Sequence, residues 1–89
     1  MHDPLVHAPR CFSRRTPTAM LLLASGDAPQ LLRGTALDIW DSFAAPTTVA
    51  RATEALASAY GVEQVVIARD VEHVVESLVA DGLLVRAAP

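Results

Sequence analysis

The chain has no lysine. A nucleic-acid binder uses lysine and arginine to displace counterions from phosphates. Here the seven basic residues are all arginines, scattered apart from the pair Arg14-Arg15, and the net charge is −3. That balance weighs against DNA or RNA as a partner. Cysteine is almost absent too: Cys11 stands alone and can close no internal disulfide. It lies beside Phe12 near the N-terminus and reads as a reduced thiol, because a catalytic cysteine needs a histidine partner and a lowered pKa. Aromatic residues make up 4% of the chain, so the core is expected to be aliphatic, anchored by Trp40, Phe43 and Tyr60. No apolar run approaches the roughly 20 residues of a membrane span. Ser13-Arg14-Arg15 before Ala19–Ala24 looks faintly like a twin-arginine signal, but the run is shorter than the roughly 7–15 residues of a signal core. A cytoplasmic protein with no membrane partner is expected.

Chemistry-bearing constellations are missing as well. There is no glycine-rich phosphate loop, no Ser/His/Asp set and no Cys/His grouping with metal spacing. His2 and His7 sit in an aperiodic segment and read as incidental rather than as metal ligands. Asp38, Asp41, Glu54, Glu63, Asp70, Glu72, Glu76 and Asp81 read as solvated helix faces, since general acids and bases need burial or close pairing. His73 falls among Asp70 and Ser77, away from the apolar face, and reads as a surface residue. No catalytic residue, metal or cofactor is expected.

What remains is 89 residues, 52% hydrophobic and 19% charged, enough for one folded domain with a modest core. Residues 1–9 carry two prolines and no periodicity and read as a flexible N-terminal tail. The domain proper is expected over 10–89. Arg10–Thr16 reads as a weak edge strand ended by Pro17. Ala19–Ala24 is a short apolar run suited to a buried strand, and Ser25-Gly26-Asp27 supplies a hairpin turn. The return strand is Gln30–Arg33, with Leu31 and Leu32 on opposite faces.

From Thr35 the period becomes helical. Ala36, Ile39, Trp40 and Phe43 share one face, Thr35 is placed as N-cap with Asp38 three residues on, and Pro46 ends the helix. A second helix starts near Thr47-Thr48, carries the stripe Val49, Ala52, Leu56 and Tyr60, and stops at Gly61. The third runs from about Glu63 to Asp81 and stops at Gly82. Ile67, Val71, Val74 and Leu78 form its main face. Ala68, Val75 and Val79 widen the apolar arc beyond the ~100° that one packing contact needs. Leu83-Leu84-Val85 either closes the core or adds a last strand. The order is three strands and then three helices: an α+β domain with a three-stranded antiparallel sheet.

The segment Leu31-Leu32-Arg33-Gly34-Thr35-Ala36-Leu37-Asp38-Ile39-Trp40 resembles the Leu-Asn-Gly-Thr-Ala-x-x-Ile-Trp stretch of PqqD-like proteins. Pro46-Thr47-Thr48-Val49, Leu56 to Val62, Arg69-Asp70-Val71 and Leu78 to Leu84 follow in the family's order. The likeness covers about residues 19–86. One departure is Arg33, where the family usually has asparagine.

The resemblance implies a winged-helix-like fold and a non-catalytic role. Family members recognise the leader segment of ribosomally made, post-translationally modified precursor peptides. The leader adds as a strand to the edge of the third strand, lies against the third helix, and is presented to a leader peptidase or another modifying enzyme. The physics agrees, since an unpaired strand edge offers N–H and C=O groups to an extended peptide. On this reading the edge is Pro29–Arg33, with pairing from Gln30 onward because Pro29 has no N–H. Leu31 or Leu32 forms one wall and Ala68, Val71 and Val75 the other. Arg33 and Arg69 are candidates to meet leader carboxylates. The alternative is that these are plain core residues and solvated arginines. The Gly-Thr-Ala-x-x-Ile-Trp corner looks most like the stand-alone recognition proteins of lasso-peptide pathways. Pyrroloquinoline quinone and mycofactocin-type peptide chaperones for radical enzymes are close alternatives.

A winged-helix DNA-binding protein is the rival from another class. Its recognition helix would carry outward basic or amide side chains. The third helix instead shows Asp70, Glu72, Glu76 and Asp81, with only Arg69 and Gln64 in favour. A subunit that merely scaffolds a larger enzyme is a further possibility.

Overall fold

In a computed structural model that describes residues 3–9, 11–23 and 29–87, the chain is α+β. Strands β1 (Leu5–His7), β2 (Phe12–Arg15), β3 (Ala19–Leu23) and β4 (Gln30–Arg33) precede helices α1 (Gly34–Ser42), α2 (Val49–Tyr60) and α3 (Gln64–Ala80). Strand β5 (Leu84–Arg86) closes the chain. The expected three-stranded antiparallel sheet is present in the order β2-β3-β4. The expected Ser25-Gly26-Asp27 turn lies outside the described residues.

Binary pattern explains the sheet. Leu22 and Leu32 face the helices and are buried with Met20, while Leu21 and Leu31 face away and are exposed. Register pairs Met20 with Leu32 and Leu21 with Leu31. A side chain's cross-strand partner lies on the same face, so burial of Met20 and Leu32 together fixes which face is inside. At the β2–β3 turn the Thr16 N–H donates to the Ala19 carbonyl at 2.9 Å, and the Ala19 N–H donates to Thr16 Oγ1 at 3.1 Å.

The helices meet this inner face with Ile39, Trp40 and Phe43 of α1, Ala52, Leu56 and Ala57 of α2, and Ile67, Val71, Val75 and Leu78 of α3. The centre of the α3 face therefore includes Val75. Val74, expected there, is only partly buried. Helix ends follow local chemistry. Thr48 caps α2 by accepting from the Arg51 N–H at 3.1 Å. Gly61 ends α2 in the left-handed region at φ 69°, a conformation costly for residues with a Cβ.

Three expectations are corrected. Thr35 is not the cap of α1: the helix starts two residues earlier, with Arg33 at the N-cap and no side-chain cap bond. Gly34 takes φ 54° at this corner, which lets the chain turn directly from strand into helix. Tyr60 is not a core anchor. It sits in the last turn of α2, 40% exposed, and its hydroxyl donates to Asp38. The expected flexible tail over 1–9 contains a strand in its described part, residues 3–9. Leu5–His7 pair antiparallel with Leu84–Arg86, and Leu5 exchanges backbone hydrogen bonds with Thr47. Leu5 is buried in the core, which supplies the tertiary reason for order in a stretch without periodicity. The Leu83-Leu84-Val85 tail does both things open to it, burying Leu83 and Leu84 while Leu84 opens β5.

Candidate functional site

Among the described residues, strand β4 is hydrogen-bonded on one side only, to β3. Which of its amides face the open side follows from the turn. Thr16 and Ala19 form a hydrogen-bonded pair, and amide direction alternates along a strand. Ala19, Leu21 and Leu23 therefore aim their backbone groups at β2, and Met20 and Leu22 aim theirs at β4. Their partners Leu32 and Gln30 point back at β3, which leaves the N–H groups of Leu31 and Arg33 facing outward. Leu31 is thus a backbone contact point and, at 53% exposure, a side-chain contact point as well. Leu21, directly across from it in a non-hydrogen-bonded pair, extends the apolar patch over the outer face of the sheet. Arg14 stands opposite Leu21 on the next strand, and Arg33 opposite Ala19.

The expected peptide-binding residues are placed as follows. Gln30 is partly buried, Leu31 and Arg33 are exposed, and Leu32 is buried at 6%. Leu31 is accordingly the one of the two leucines available at the surface. On α3, Arg69 is exposed and Ala68 partly buried, while Val71 and Val75 are fully buried in the core. Strand β4 packs on β3 and α1, and α3 packs mainly on α2, α1 and β5. The two sets of residues both lie on elements that pack on α1.

Ala68 instead lines a groove of about 500 Å³ whose other wall is α2. Val49, Ala50 and Thr53 come from α2, and Gln64, Val65, Ala68, Glu72 and Glu76 from α3. Val65, Ala68, Glu72 and Glu76 recur at steps of three and four residues, one stripe along the helix. Val65 of this groove lies outside the surplus apolar arc expected from the sequence and is 77% exposed, and Val66 beside it, which does not line the groove, is 62% exposed. Two valines in the first turn of α3, beside rather than within the Ile67-Val71 stripe, are the signal that marks them.

Electrostatics is sparse. Arg15 pairs with Asp41 at 2.5 Å, joining β2 to α1, and Arg86 pairs with Asp3 at 2.7 Å. The Tyr60 phenol is held above its ordinary value of 10.0, first because its hydroxyl donates to the Asp38 carboxylate. Partial burial and the Asp38 charge add to the rise, and Thr35 opposes it. Among the described residues no group of three or more His, Cys, Asp or Glu is arranged to hold a metal. No helix among them is long and apolar enough to cross a membrane.

Comparison with curated proteins and with solved structures finds no match. The family model described as Coenzyme PQQ synthesis protein D (PqqD) matches residues 20–84, from the second residue of β3 to the first of β5. PqqD domains in general serve as peptide-binding chaperones and imply a peptide partner and a modifying enzyme. With most of its length matched and the sheet-then-helices order in place, the chain belongs to the PqqD family.

Proposed function

We propose that this protein binds the leader segment of a ribosomally synthesised precursor peptide as an added strand on the free edge of β4. It then presents the precursor to a leader peptidase or another modifying enzyme, in lasso-peptide biosynthesis. The chain itself is non-catalytic on this reading and works in the cytoplasm. The observation that carries it is Leu31, whose backbone faces an unpaired edge while its side chain is exposed beside Leu21. Main-chain bonds along such an edge give affinity, and alternate side chains give selectivity.

The test is a fluorescence-anisotropy titration of a labelled leader peptide, taken from a precursor gene beside this one, against the purified protein. Two substitutions separate backbone from side chain. Leu31→Ala keeps the outward N–H, whereas Leu31→Pro removes it at an edge position where the β3–β4 ladder does not need it. Strand addition requires Leu31→Pro to bind at least tenfold more weakly than Leu31→Ala, with both folds intact by circular dichroism. Equal affinity in the two variants rejects strand addition at this edge. No binding by the unsubstituted protein at high micromolar concentration rejects leader recognition altogether.

A further inference from the structure

The groove between α2 and α3 is lined by aliphatic, neutral polar and acidic side chains together. Val49, Val65 and Ala68 supply aliphatic lining, Thr53 and Gln64 neutral polar lining, and Glu72 and Glu76 carboxylates from α3. A shallower depression continues past Val65 to Val62 and brings in Glu54 and Glu63. These four carboxylates make no ion pair among the described residues, and all four are exposed. Arg51 and Arg69, the arginines of α2 and α3, line neither hollow. Exposed aliphatic side chains in one place together with unpaired charge of one sign mark an interaction surface of definite polarity.

We infer that this groove docks a basic amphipathic segment, with arginine or lysine beside aliphatic side chains, belonging to the enzyme that receives the peptide. The assignment of the enzyme as owner rests on the leader-presenting role proposed above. The chemistry of the groove does not. Its walls come from α2 and α3, whereas the open strand edge is on β4, which packs on β3 and α1. On this inference the enzyme docks on the α2–α3 flank while the peptide's backbone pairs at β4, with Ala68 of α3 on the groove side. The carboxylates select against an acidic occupant, and Val65 and Val62 offer aliphatic area that the chain's own core leaves uncovered.

The probe is a twelve-residue lysine/leucine peptide of helical period, compared with its glutamate/leucine counterpart. Each is titrated into the isotope-labelled protein and followed by backbone amide shifts. The lysine peptide is expected to shift residues 49–53 and 64–76 and to bind at least tenfold more tightly than the glutamate peptide. The double variant Glu72→Lys with Glu76→Lys is expected to lose at least tenfold in affinity, and Val65→Asp several-fold. Asp70→Lys, on the far side of α3, is expected to retain binding. Equal affinity for both peptides, shifts centred elsewhere, or equal loss with Asp70→Lys overturns the assignment. The leader titration is repeated on the same samples. Leader binding without lysine-peptide binding overturns the groove and leaves strand addition standing. Lysine-peptide binding at the groove without leader binding supports the groove's chemistry and removes leader recognition.

Discussion

The His7 ring lies flat on the Trp40 indole, with ring centroids 3.6 Å apart and planes within 4°. Its Nε2–H also donates to the Trp40 carbonyl at 2.7 Å. One side chain of β1 thus covers the largest residue of the core and satisfies a carbonyl near the end of α1. A stacked pair adds about 0.5–1.5 kcal/mol beyond area burial, and a net hydrogen bond adds a similar amount. His7→Ala is expected to lower unfolding free energy by about 1–2 kcal/mol. Trp40 is the single tryptophan, so its emission moving to longer wavelength checks the uncovering directly. An unchanged urea midpoint and emission maximum show that the stack contributes nothing.

Tyr60 is the single tyrosine, which makes its titration readable by tyrosinate absorbance. Its midpoint is expected above 10.0 and to fall toward that value in Asp38→Asn. The folded phenol is the weaker acid, so the contribution of the Tyr60–Asp38 bond is complete below pH 10. It is lost as pH rises through the folded midpoint. Tyr60→Phe is expected to flatten the alkaline decline in stability. A midpoint that Asp38→Asn leaves in place contradicts the Asp38 assignment.

Leu31 and Leu32 are neighbours with opposite roles. Leu32→Ala empties a core position and is expected to cost about 2–5 kcal/mol. Leu31→Ala, on the outer face, is expected to stay within about 0.5 kcal/mol of the unsubstituted protein. Urea denaturation of the pair checks the register of β3 with β4, because a slip of one residue exchanges the two outcomes.

Gly34→Ala isolates backbone conformation. A Cβ there meets nothing within 4 Å, so no clash contributes. The φ of 54° alone is expected to cost about 1–2 kcal/mol. A neutral result shows that the β4–α1 corner relaxes to a negative φ without loss.

Much of the fold is legible in the sequence because it depends on local period. Ile39, Trp40 and Phe43 repeat at helical spacing, and Thr48 and Gly61 carry the chemistry of helix ends. What is not legible depends on distant partners. Leu5–His7 lie between Pro4 and Pro9 with no alternation, and they become a strand only because Leu84–Arg86 and Thr47 supply hydrogen bonds. Tyr60 continues the apolar spacing of α2, yet it lies in the final turn, where Asp38 competes for its hydroxyl. At the strand edge, the sequence separates Leu31 from Leu32 but not inside from outside, a choice set by Met20 across the ladder. On α3, Val75 looks like the margin of a wide apolar arc and is part of its centre. The margin is at Val65 and Ala68, because α2 packs beside that flank.

The pairing of Leu5 with Arg86 gives the domain the topology of a clasp. Residues near the two ends of the chain lie side by side, pinned further by Asp3 and Arg86. A short linker between them would make a ring, and new termini opened in an exposed connection would preserve the clasp. Tension applied to the two ends loads the short β1–β5 ribbon first, so the clasp parts before β4 or the interhelical groove bears force.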